Sequence, residues 1–117
     1  MTLRERIWFP TKQTGGNAKG GNAMIRHIVL WKFRAGTEAQ AEEFLTGLAA
    51  LEGQIDCIRA MSVRRSAVEN SAYDAALIAD FDSLEDVEKY KNDPRHVKVA
   101  AICKEIRTER CAIDVEI

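Results

Sequence analysis

The sequence is sparing with residues that mark specialised partners: it has two histidines, three cysteines, two prolines and two tyrosines in 117 residues, and a net charge of −1. A charge so close to zero gives no electrostatic footprint for nucleic acid, so no nucleic-acid partner is expected. The longest apolar runs, such as Ile28-Val29-Leu30-Trp31, fall far short of the roughly 20 residues that a membrane helix needs, so no membrane partner is expected either. Arg4 and Arg6 have no apolar segment behind them, so the start does not read as a secretory signal and a cytoplasmic location is expected. Cys57, Cys103 and Cys111 are odd in number and lack metal-type spacing. They exclude a disulfide framework, imply no metal site, and read as small buried hydrophobes. No glycine-rich phosphate loop follows a strand, and no Ser-His-Asp arrangement can be assembled.

What is present fits one compact domain with an arm. A chain of this length supports one core that buries roughly 65% of the unfolded chain's surface. Residues 1–23 read as a flexible arm: Thr14-Gly15-Gly16-Asn17 and Lys19-Gly20-Gly21-Asn22 are linker chemistry, and four basic residues against one acidic give it a charge of +3. The remainder carries 13 basic and 17 acidic residues, or −4. Trp8 and Phe9 are the arm's apolar island, suited to docking on its own body or on a partner. Met24 opens the domain and reads equally as a start codon.

Residues 24–117 alternate between two periodicities. Ile25 to Phe33 is β-branched and aromatic, with apolar members in both alternating sets, which predicts a central strand. His27 and Trp31 share its odd-numbered set. Thr37 to Gln40 has capping-box spacing, and Ala41, Phe44, Leu45 and Leu48 form a stripe, predicting a helix over 37–52 stopped by Gly53. Strands are expected over 58–66 and 73–81 around the turn cluster Glu69-Asn70-Ser71. Ser83 caps a short helix whose inner side holds Leu84, Val87 and Tyr90 or Lys91. Asn92-Asp93-Pro94 breaks it, and Asp93 and Pro94 start a further helix to about Ile106, with His96, Val99, Cys103 and Ile106 on one face. Cys111, Ile113, Val115 and Ile117 alternate in a last strand with one buried face.

This order predicts an α+β, ferredoxin-like βαββαβ fold, a four-stranded antiparallel sheet with helices on one side. The other side would leave Ile28, Leu30, Ala76 and Ile78 uncovered. A homodimer that stacks sheet on sheet is the economical cover.

The chemistry concentrates in Tyr90-Lys91-Asn92-Asp93-Pro94-Arg95-His96, which spans the helix break. If the odd face of the first strand meets the helices, His27, Tyr90 and His96 line one cavity between sheet and helices. A histidine there suits general-base chemistry near neutral pH, and a tyrosine hydroxyl suits donation to a carbonyl oxygen that gains charge. The alternative is that each histidine is a core residue satisfied by a backbone carbonyl. Asp80, Asp82, Glu85 and Asp86 read as a solvated helix start rather than a cation site, and Arg59, Arg64 and Arg65 as a solvated edge.

Ile25-Arg26-His27-Ile28-Val29-Leu30-Trp31-Lys32-Phe33 and Tyr90-Lys91-Asn92-Asp93-Pro94-Arg95-His96-Val97, in that order, resemble the stress-responsive A/B barrel domain family, often called Dabb. The resemblance covers residues 24–117. It implies a homodimer whose two sheets form a barrel, and a cavity in each subunit. It further implies the chemistry of a plant polyketide cyclase similar to the family, in which a tyrosine and a histidine six residues later serve an aldol cyclisation without a cofactor. Tyr90 and His96 match that pair and His27 matches its strand histidine, while Asp93 stands where the cyclase has histidine. On this reading His96 is the general base, Tyr90 the donor, and His27, Trp31 and Val99 binding residues for a small hydrophobic carbonyl or aromatic ligand. No cofactor is expected. The competing readings are a non-catalytic dimer for small-molecule binding or stress tolerance, and a heme-free monooxygenase for quinol-like substrates.

Overall fold

The structure, a computed structural model, describes residues 23–117. The expected arm, with Trp8 and Phe9, lies outside the described residues except for Ala23. The elements run β1 (Ile25–Phe33), α1 (Glu38–Ala49), β2 (Ala60–Arg65), β3 (Ala75–Phe81), α2 (Leu84–Asn92), α3 (Pro94–Ile106) and β4 (Arg107–Glu116). The strands form one antiparallel sheet in the order β2-β3-β1-β4, as the ferredoxin-like pattern requires.

Alternation along β1 assigns the two faces. Ile25, His27, Val29 and Trp31 are buried under the helices, and their register partners Phe81, Ala79, Leu77 and Ala75 on β3 are buried with them. Phe44 and Leu48 from α1, Val87 and Tyr90 from α2, and Cys103 from α3 close over that face to make the core. Fully burying each large apolar side chain stabilises the fold by about 1.5–3 kcal/mol, so this one face dominates the energetics.

The helix ends depart from expectation in instructive ways. Thr37 does not form the capping box: its hydroxyl donates backwards to the Arg34 carbonyl at 2.6 Å, across the turn that Gly36 makes at φ +86°. α1 ends at Ala49 rather than 52, and Gly53 (φ +91°) serves the turns that follow. Ser83 caps α2 as expected, accepting from the Asp86 amide at 3.1 Å, but Leu84 is 59% exposed, and the buried stripe begins one turn later at Val87. Asp93 caps α3, accepting from the Arg95 amide at 2.9 Å, with Pro94 in its first turn.

The last strand also differs. Its apolar set Cys111, Ile113, Val115 and Ile117 lies on the open face of the sheet and is largely exposed in the single chain, because register pairs Asp114, not Ile113, with the helix-facing His27. Cys111 is therefore exposed rather than buried. On the open face, Ile113, Ile28 and Ile78 are cross-strand neighbours in one row, and Cys111, Leu30 and Ala76 in the next. No helix among the described residues is long and apolar enough to cross a membrane.

Candidate active site

The break between α2 and α3 is what brings the site together. The Asp93 cap and Pro94 restart the helix in a new direction, so Tyr90 at the end of α2 and His96 in the first turn of α3 lie ring against ring, 4.4 Å between centroids. Tyr90 in turn sits 6.1 Å from His27 on β1 and 5.2 Å from Phe81 on β3. His27, Tyr90, His96 and Trp31 all line one cavity of about 360 Å³ between the sheet and the helices, a volume suited to a small molecule. Its inner wall is apolar, built from Val29, Phe44, Leu48 and Leu77.

Both histidines are held the same way. His27 Nδ1 lies 2.6 Å from Asp114 Oδ1, and His96 Nδ1 lies 3.1 Å from the Lys91 carbonyl oxygen. A carbonyl oxygen only accepts, as does a carboxylate, so each Nδ1 carries a proton, and in a neutral His96 ring Nε2 is left with the lone pair. The backbone carbonyl expected of a core histidine is found for His96; His27 uses a carboxylate instead. Burial holds the His96 imidazole below the ordinary histidine range, with His27 and Arg110 acting in the same direction. It is a neutral base at neutral pH.

Tyr90 is 1% exposed, and its hydroxyl is buried with no hydrogen-bond partner among the described residues. Burial raises its pKa, partly opposed by Arg110, so the phenol stays protonated and is a donor without an acceptor. The Cys103 thiol also lines the cavity, and burial raises it against the opposing pull of Arg107 and Arg110.

Val99 is the expected binding residue that the cavity does not include. One turn on from His96, it leans on α1, where its methyls lie 3.4 and 3.5 Å from the position a Cβ of Gly47 would take. The missing side chain at Gly47 admits it there, away from the cavity. Asp114, by contrast, was not singled out by the sequence. Its one sequence signal is an acidic residue inside an alternating strand; meeting His27 depends on the β1–β4 register, which alternation does not supply. The acidic and basic surface clusters are joined by the Asp82–Arg59 ion pair, while Asp80 pairs with Arg26 and Arg65 with Glu42.

A ferredoxin-like sheet with a polar-floored cavity under its helices defines an α+β barrel-type subunit. The chain belongs to the stress responsive A/B barrel domain (Dabb) family, whose model matches residues 25–117. It is similar to a dimeric protein of ferredoxin-like fold from Bacteroides fragilis, with 30% identity, a TM-score of 0.75, and coverage of 80% of this chain and 96% of that one. A dimeric ferredoxin-like protein from Thermobifida fusca gives 26% identity and a TM-score of 0.73 over 82% of this chain and 92% of the other. A hydroxynitrile lyase from Passiflora edulis shares the fold at 13% identity, with a TM-score of 0.72 over 82% of this chain and 94% of the lyase. No curated protein matches the sequence.

Proposed function

We propose that the protein is a cofactor-independent enzyme that removes a proton beside the carbonyl of a small, partly apolar compound, the first step of an aldol-type cyclisation. The observation that carries this is the Tyr90 hydroxyl, a buried donor with no acceptor among the described residues, on a side chain that lines the cavity and packs its ring against the neutral imidazole of His96. An unpaired buried hydroxyl costs about 1–3 kcal/mol, and a bound carbonyl oxygen would relieve it. In the proposed step His96 Nε2 takes the α-proton. The C–H electron pair becomes the enolate double bond, and the carbonyl π electrons move to the oxygen, which accepts from Tyr90. The enolate carbon then attacks a second carbonyl of the same molecule, and the proton returns from His96 to the new alkoxide. His27, fixed by Asp114, positions the substrate at the floor, and Trp31 contributes apolar wall. An enzyme with this fold is already represented by the lyase neighbour.

The protein is also proposed to act as a homodimer through the open sheet faces. Ile78 and Ile113 are 41% and 57% exposed there, and the two neighbours from B. fragilis and T. fusca are described as dimeric.

Solvent deuterium incorporation tests the chemistry. The protein should catalyse exchange of the methyl protons of a small aryl ketone in D2O, followed by proton NMR, and His96→Ala should lower that rate by about 10²–10⁴-fold while the dimer stays folded. An unchanged rate in the variant removes His96 from the role.

A further inference from the structure

We infer that the compound bound here carries, besides its carbonyl, an anionic oxygen group, carboxylate or phosphate, which docks on Arg107 and Arg110 at the cavity mouth with Lys104 beside them. The inference deepens the reading of the cavity as a carbonyl site and rests on it.

Lys91, Lys104, Arg107 and Arg110 all line the cavity, and among the described residues no aspartate or glutamate does. Lys91 is engaged by Glu88 at 3.2 Å. Elsewhere the arginines are occupied: Arg26, Arg59, Arg65 and Arg95 are in ion pairs, and Arg34 and Arg64 donate to the carbonyls of Glu105 and Val63. Among the described residues, Arg107 and Arg110 alone of the arginines have neither an ion pair nor an oxygen acceptor, in a chain whose net charge is −1. Arg107 meets the Cys103 thiol but no oxygen, and guanidinium groups without an oxygen partner, set beside an apolar inner wall, fit a planar oxyanion, which they bind through paired donors.

The backbone is distorted so as to gather them. Residues three apart on a regular strand point to opposite faces. Here the β1–β4 ladder pairs Lys32 with Glu109 and then Phe33 with Arg107, stepping over Thr108 in a bulge. The extra residue restores parity, so Arg107 and Arg110 both reach the cavity while Glu109 stays opposite the open-face Lys32. Re-aiming a side chain beside a site is a characteristic use of a bulge. Arg110 also pulls down the pKa of Tyr90, His96 and Cys103 alike, so its charge reaches the reacting end of the cavity.

The test uses three probes with one carbonyl body: acetophenone, 4-acetylbenzoate and 4-acetylphenyl phosphate, with dissociation constants measured by NMR titration on the full chain at low salt. At least one anion should bind about tenfold or more tighter than acetophenone. Whichever gains identifies carboxylate or phosphate. That ratio should fall toward one in the R107Q/R110Q double variant and, should the variant fold poorly, in the unmodified protein at high salt. A ratio near one in the unmodified protein, a ratio that survives both treatments, or no binding of any probe overturns the inference. Tight anion binding without deuterium exchange would uphold it and sink the enzymatic reading; exchange on acetophenone with no anion preference would do the reverse.

Discussion

His27 Nδ1 and Asp114 Oδ1 are 2.6 Å apart across the β1–β4 ladder, and that contact holds a proton on Nδ1 of a buried imidazole. Asp114→Ala removes the acceptor and frees the ring to take either tautomer. Nitrogen-15 NMR should find the Nδ1–H form in the parent and a mixture in the variant. The Asp114 side chain is 32% exposed, so the stability loss in urea should be modest, about 1 kcal/mol. A variant that keeps the parent tautomer would show that Asp114 does not set it.

Tyr90 separates structure from function cleanly. Its hydroxyl lacks a partner among the described residues, while its ring packs against His96 and Phe81. Tyr90→Phe keeps the ring and deletes the unpaired donor. Unfolding free energy should stay level or rise by up to about 1 kcal/mol, whereas the proton-exchange rate should drop by about 10²-fold. A destabilised variant would mean that the hydroxyl is satisfied in the folded protein, and an active one would remove it from the oxyanion role.

The pH dependence has a definite sign. The His96 pKa is lowered from 6.5, so between the folded value and 6.5 the unfolded chain binds more protons than the folded one. Its contribution to stability is intact above pH 6.5 and is lost as pH falls below that value. The same shift keeps the base neutral, so the acid limb of the exchange-rate profile should lie below pH 6.5. Tyr90 is shifted the other way, upward from 10.0, and destabilises the fold as pH rises above 10. Urea titrations of His96→Asn against the parent at about pH 5.5 and about pH 7.5 check the histidine limb: the gap between the two proteins should change with pH, and a constant gap would refute it.

Most of the fold was legible because it follows from local pattern. The period-2 alternation of β1, the stripe from Ala41 to Leu48 and the Asp93-Pro94 restart each specify their element independently of the others. Three of the cavity's polar side chains, His27, Tyr90 and His96, followed from the same faces. What was illegible needed two elements at once. Asp114 meets His27 through strand register, Arg107 and Arg110 converge through a bulge, and Val99 leaves the cavity because Gly47 on another helix makes room. The open face of β4 misled for a related reason: alternation says which residues share a face but not which of the sheet's two faces the helices cover.

That open face makes the last prediction. Ile113, Ile28 and Ile78 form an apolar row across three strands, and two copies packed face to face would withdraw each row from water twice over. A single Ile78→Asp places a charge in the middle of the proposed interface in both subunits, and burying an unpaired carboxylate there costs more than one isoleucine contributes. Light scattering after gel filtration should therefore read a dimer for the parent and a monomer for the variant, and the variant should melt at a lower temperature because its sheet is left exposed. Val68→Asp is the control: Val68 is 67% exposed beyond the end of β2, and a charge there should leave mass and melting temperature unchanged. A dimer that survives Ile78→Asp would place the interface elsewhere and leave the isoleucine row without a partner.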